Sequence, residues 1–215
     1  ILPPEKEIVL HGAGVDLNRY IYTPYTAHDP PRFLFVGRLM REKGVEELFC
    51  AVRRLWTEGF HVHLQLLGFF EEQYRQEVDR LVAGGMTEFY GFQKEPLPFY
   101  QNCDCVVLPS YHEGMSNVLL EAAAVGRPII ASDIPGCREA VEHSKTGLLC
   151  RAKDADSLYV AMRAFLALSA EQKAALGQNG RRKMEREFDK ASVVTETLRI
   201  VTAEKAAPQP RRVTA

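Results

Sequence analysis

The chain has 215 residues, 46% of them hydrophobic, enough to bury one large core or two small ones. Its net charge of −1 excludes a bulk nucleic-acid surface, so any phosphate must be met by a few placed cations. No apolar run approaches membrane-spanning length, and the opening "ILPPEKEIVL" lacks both the pattern of a signal peptide and a Met, which leads us to expect a preceding segment.

Short β-branched and aromatic runs alternate with helical patterns along the chain. The runs are "EIVL" (7–10), "RFLFVG" (32–37), "VHLQLLG" (62–68), "EFYGF" (88–92), "DCVVLP" (104–109), "PIIAS" (128–132) and "GLLC" (147–150). Between them, helices are predicted over 44–59, 71–85, 97–103, 117–126 and 137–144, with apolar residues at three- and four-residue spacing such as Val45, Leu48, Val52 and Leu55. Strands that are apolar throughout and separated by helices predict a parallel sheet covered on both faces, a doubly wound, Rossmann-like α/β domain. Only helices follow Cys150, over 154–168, 170–187 and 190–205, and the polar tail "APQPRRVTA" is expected to be disordered. The cysteines at 50, 103, 105, 137 and 150 are odd in number and scattered, which predicts buried free thiols and a reducing, cytoplasmic compartment.

In such folds ligands sit beyond the carboxyl ends of the strands. The loop "FVGRLMREKG" leaves a strand at Gly37 and flanks a helix start with Arg38 and Lys43. Helix N-termini favour anions, so these residues are either a diphosphate clamp or solvated loop charge. In "YGFQKEP", Gly91 lets backbone approach a flat group and Phe92 can pack on it, although a glycine–aromatic pair at a strand end also suits ordinary packing. The third loop, "SYHEGMSNVLLEAAAVG", sets Glu113 before a helix and Glu121 inside it. Ser116 or Asn117 is expected to cap that helix, leaving the stretch from Gly114 to Asn117 to offer N–H groups to a phosphate or sugar oxygen. Glu121 lies about 6 Å or slightly more along the helix from its cap. A carboxylate there repels phosphate but suits a vicinal diol such as ribose, one hydroxyl per oxygen. Glu113, ahead of the cap, faces another part of the same ligand.

Other motifs carry less. "HGAGVDLN" places Leu17 where a dinucleotide fingerprint needs its third glycine. Asp154-Ala155-Asp156 opens a helix, where acids cap and complement the dipole, and is read as capping rather than metal binding. His61 and His63 share one face of a predicted strand without a third ligand, and His112 either orders its loop or touches substrate.

The Glu-x7-Glu of "EGMSNVLLE", the following "AAAVGRPIIASDIPGCREAV…TGLL" and the upstream "FVGRLMREKGVEELFCA" together resemble the C-terminal, donor-binding half of the retaining GT-B glycosyltransferases of family four. The similarity runs from about residue 7 to 200 and keeps the order of the motifs; "HGAGVDLNRY" is similar to the family's interdomain linker, and with "PGCREAV" it resembles members that build bacterial polysaccharide or lipid-linked glycans.

The resemblance implies a donor site in which Gly37, Arg38 and Lys43 bind the diphosphate of a nucleotide sugar, UDP-linked by expectation. It also implies that Glu121 holds the ribose, Glu113 touches the sugar, Gly114, Met115, Ser116, Asn117 and Val118 line the sugar and phosphate, and Gly91 and Phe92 line the base. Glu113, Arg38 and Lys43 are the implied catalytic residues, with no metal or other cofactor required. Residues 1–31 then read as linker and first strand, 32–187 as the nucleotide-sugar domain, 188–206 as a C-terminal helical segment and 207–215 as a tail.

The acceptor, a glycan or lipid-linked glycan, is implied to bind a first domain not matched here. The chain alone is therefore expected to be inactive, and its C-terminal helix to be partly exposed and able to self-associate. The full enzyme is placed in the cytoplasm, peripheral at the inner face of a membrane. A binding module without turnover, or an epimerase or phosphorylase on the same plan, are the alternative readings.

Overall fold

The computed structural model describes residues 12–71 and 73–206. Six strands form one parallel sheet: β1 (Arg32–Val36), β2 (His63–Leu67), β3 (Thr87–Gly91), β4 (Cys105–Leu108), β5 (Ile129–Ser132) and β6 (Gly147–Cys150), in the order β3-β2-β1-β4-β5-β6. The inner strands are apolar because helices cover both their faces: Phe33, Leu34 and Phe35 of β1 are fully buried, as is all of β4 and β5. At the edge, β3 alternates buried and exposed residues.

The connecting helices are α1 (Val45–Thr57), α2 (Arg75–Ala83), α3 (Leu97–Gln101), α4 (Asn117–Val125) and α5 (Pro135–Arg138), followed by α6 (Ala155–Ala167), α7 (Ala170–Lys183) and α8 (Lys190–Ala206). They pack in two groups, α1 against α6 and α4 against α3 and α7. Asp154 caps α6 by accepting from the Ser157 N–H at 2.7 Å, as its sequence position predicts. A π-helical turn, Met184–Phe188, ends α7 on two buried side chains.

The segment before β1 packs onto the same core through Val15 and Tyr20. Val15 also pairs with the start of α8, donating to the Phe188 carbonyl at 2.8 Å and accepting from Lys190 at 3.1 Å. Further along, Asp104, 2% exposed at the foot of β4, gathers the linker. Its carboxylate accepts from the Tyr25 hydroxyl (2.9 Å), the His28 N–H (3.0 Å) and the Arg32 N–H (2.8 Å), and its Oδ2 lies 3.0 Å from His28 Nδ1.

Several expectations need correction. The helix foreseen over 137–144 is a single turn at Pro135–Arg138, because the chain bends into β6 soon afterwards. Cys50 is exposed, since it lies off the apolar stripe of α1; the other four thiols are buried as expected. Burial pushes Cys103, Cys137 and Cys150 up to about 12, which makes them poor nucleophiles. His61 precedes β2 and rests edge-on against Trp56, so it shares no strand face with His63. The foreseen strand over 7–10 and the tail 207–215 lie outside the described residues. On α8, Val194 and Leu198 are exposed at 46% and 59% while Phe188 is buried. No described helix is long and apolar enough to cross a membrane.

Candidate functional site

The sheet order reverses between β1 and β4, and the loops leaving their carboxyl ends part there, forming the crevice in which doubly wound folds bind ligands. From β1 the chain runs through Gly37, Arg38 and a 3-10 turn, Arg41–Lys43, to Gly44 and α1. From β4 it runs through Ser110–Ser116 to α4. The two loops meet side chain to side chain: Lys43 Nζ donates to Glu113 Oε1 at 2.6 Å, the side chains 21% and 12% exposed.

Backbone contacts fix that meeting. Gly44 adopts φ +70°, and a β-carbon on it would collide with the Pro109 carbonyl. A β-carbon on Gly136, at the start of α5, would collide with the carbonyl oxygens of Glu113 and Gly114, so "PGCR" forms a floor beneath the glutamate loop. Tyr111 closes the side towards α1, its N–H bonding the Glu42 carbonyl at 2.8 Å and its hydroxyl donating to Glu47 Oε1 at 2.7 Å. Met115 abuts Gly12, where a β-carbon would lie 3.0 Å from Met115 Cγ.

The start of α4 differs from that of α1. Helix α1 carries Glu46 and Glu47 in its first turn, which offset its own dipole, whereas α4 has no acid there. The leading N–H groups of α4, around Asn117 and Val118, are therefore better disposed to an anion. Ser116 occupies the cap position in extended conformation, but neither it nor Asn117 makes the expected side-chain cap bond.

One turn further on, Glu121 Oε2 accepts from the Tyr100 hydroxyl at 2.9 Å, and Tyr20 lines the same cleft beside it. Burial raises the Glu121 pKa, opposed by the neighbouring Tyr20, Tyr100 and Arg19. A carboxyl so raised costs the fold stability as pH climbs through its pKa, a cost tolerated where a group serves a ligand. Glu121 opens into a cleft of about 240 Å³ whose lining includes Gly14, Asp16, Arg19, Asn117 and Lys190.

The remaining candidates are more dispersed. Arg38 pairs with Glu71 on the loop after β2 at 2.7 Å, both half-exposed, an ion pair weak enough to yield to a bound phosphate. Gly37 donates to the Leu67 carbonyl at 2.9 Å. Gly91 leaves β3 at φ +67°, and Phe92 is 70% exposed. The loop after Phe92 is tied to the linker by Arg19, which bonds Glu95 at 2.7 Å. The structure thus joins Lys43 to Glu113 directly, sets Glu121 on the same helix as Asn117 and Val118, and leaves Arg38 and Phe92 at the rim. Sequence reasoning missed Tyr20, Tyr100, Tyr111 and Gly136; the glycine in "IPGCREA" was the one visible signal among them.

A family model described as glycosyl transferases group 1 matches residues 24–183. The chain belongs to that family. It is 32% identical to the glycogen synthase of Mycobacterium tuberculosis over 226 aligned residues, covering 97% of this chain and 52% of that protein. Among solved structures, sucrose-phosphate synthase from Thermosynechococcus elongatus superposes with a TM-score of 0.79 at 28% identity, over 91% of this chain and 52% of that one. Anabaena HepE, solved in complex with UDP, shares the fold at 20% identity and a TM-score of 0.75, over 88% of this chain and 56% of that one. The chain spans about half the length of the curated relatives it matches, and its sheet is the Rossmann-like half of the GT-B glycosyltransferase fold.

Proposed function

We propose that this domain binds a nucleotide-activated sugar in the crevice between β1 and β4, for retaining transfer to a hydroxyl of a polysaccharide or lipid-linked glycan. The observation that carries the reading is the Lys43–Glu113 pair set between two strand ends, ahead of a helix whose first turn bears no acid. A diphosphate arriving there meets Lys43, the N–H groups of Gly114–Val118 and, at the rim, Arg38. These groups stabilise the charge that develops on the departing nucleoside diphosphate. Glu113 pairs with Lys43; in the proposed complex the ammonium turns to phosphate and the carboxylate to the hydroxyls of the sugar. Glu121 takes the ribose diol, and Phe92 with Gly91 covers the base. HepE, which shares the fold, was solved with UDP, which supports the choice of a uridine donor. The acceptor half of the reaction belongs to the rest of the cleft, so the chain alone is proposed to bind donor without efficient transfer.

The division of labour between the glutamates is directly testable. Glu121→Gln replaces one acceptor oxygen with a donor and should weaken UDP by about tenfold or more, with little effect on 2′,3′-dideoxy-UDP. Glu113→Gln should leave UDP binding unchanged or slightly tighter, because Lys43 is released, while weakening UDP-sugar. Calorimetric titration of both variants with all three ligands provides the comparison; identical behaviour of the two would remove the assignment.

A further inference from the structure

The side chain that bonds Glu121 is not on its own helix. Tyr100 of α3 is fully buried, and its ring stands edge-on to Tyr20 of the linker, centroids 6.3 Å apart. The Tyr100 hydroxyl donates to Glu121 Oε2 at 2.9 Å, and Tyr20 lines the cleft beside that carboxylate. A glutamate on a helix surface has three side-chain torsions and ordinarily samples several rotamers. Here one buried phenol bonds the carboxylate and a second braces that phenol edge-on, which restricts the carboxylate plane and the direction of its free lone pairs.

We propose that Tyr100, assisted by Tyr20, is the specificity-determining positioning residue of the ribose subsite: it holds Glu121 in the one orientation that grips a vicinal diol, and so makes the site prefer ribonucleotides. The proposal rests on the reading of Glu121 as the ribose acceptor. Neither tyrosine need touch the ligand. Tyr100 has no exposed surface with which to do so, and it acts through the carboxylate.

A second consequence separates positioning from mere packing. The groups facing Glu121 are Tyr100 from α3, Tyr20 and Arg19 from the linker, and, across the cleft, Asp16 and Lys190. The phenolic donors favour the ionised carboxyl against the effect of burial. Loss of one donor raises the Glu121 pKa further, so the pH below which ribonucleotide binding fails moves upward. Binding of a ligand without the diol has no such dependence on Glu121.

The test is titration of wild type, Tyr100→Phe and Tyr20→Phe with UDP, GDP and ADP and with their 2′,3′-dideoxy forms, from pH 5 to 8. Wild type should prefer the ribonucleotide. Tyr100→Phe should reduce that preference about tenfold, through weaker ribonucleotide binding at unchanged dideoxynucleotide affinity, as expected for one lost hydrogen bond to a charged group. The acid limb of ribonucleotide binding should shift to higher pH in the same variant. Dideoxynucleotide affinity also reports folding, and Tyr20→Phe is expected to move the ratio in the same direction should Tyr100→Phe not fold. A wild-type preference that survives in the folded variants overturns the positioning role while leaving the ribose reading intact. A wild type that binds both forms equally, or none of the nucleotides, overturns the ribose reading and this inference with it.

Discussion

Lys43→Ala is expected to weaken nucleoside diphosphate binding by about ten- to 150-fold, the equivalent of one charge-assisted contact of about 1.5–3 kcal/mol, while leaving nucleoside binding unchanged. The geometry makes the larger end of that range the expected one. Lys43 neutralises Glu113 at 2.6 Å in a site where the carboxylate is only 12% exposed. Truncating the lysine therefore removes an attraction for phosphate and also leaves an uncompensated negative charge beside it. Lys43→Ala with Glu113→Gln should recover part of the loss, because the repulsion disappears while the attraction stays absent. Arg38→Ala, at an exposed pair with Glu71, should cost less than Lys43→Ala. Calorimetry against UDP and uridine checks all three; equal losses for both ligands would remove the clamp.

The largest stability effect is expected away from the site. Asp104→Ala strips the buried acceptor from the Tyr25 hydroxyl, the His28 and Arg32 N–H groups and the His28 ring, and should destabilise the fold by about 3–5 kcal/mol, as when one partner of a buried polar pair is removed. Urea unfolding gives the value directly. A loss under about 1 kcal/mol would mean that water replaces the carboxylate without cost. The linker that Asp104 pins leads to Arg19 and Tyr20 at the Glu121 cleft, so donor affinity is expected to fall along with stability.

Much of the architecture was legible because each strand is a separate apolar run and each long helix keeps its stripe. β6 coincides with "GLLC", and the bounds of α1 and α4 fall within a few residues of those foreseen. The errors have local causes. Residues 137–144 are rich in helix formers, yet the turn that returns Gly147 to the sheet stops the helix after Arg138, a tertiary constraint overriding propensity. Cys103-Asp104-Cys105 invited attention to its thiols, whereas the aspartate between them organises the linker. That role arises from partners more than 70 residues away, and no spacing announces it. The candidate site was legible where it follows chain order, as at Glu113, Asn117 and Glu121 on one loop and helix. The tyrosines around Glu121 come from α3 and the linker, and only folding brings them together.

Whether the β1–β4 crevice of this chain binds a nucleotide sugar is decided by calorimetric titration of wild type and Lys43→Ala with UDP-glucose, GDP-mannose and ADP-glucose. Arg182→Ala, on the exposed side of α7, serves as a remote control. Saturable binding of at least one donor is expected, lost or greatly weakened in Lys43→Ala and retained in Arg182→Ala. Absence of binding by all three donors, or a bound donor indifferent to Lys43, would contradict it.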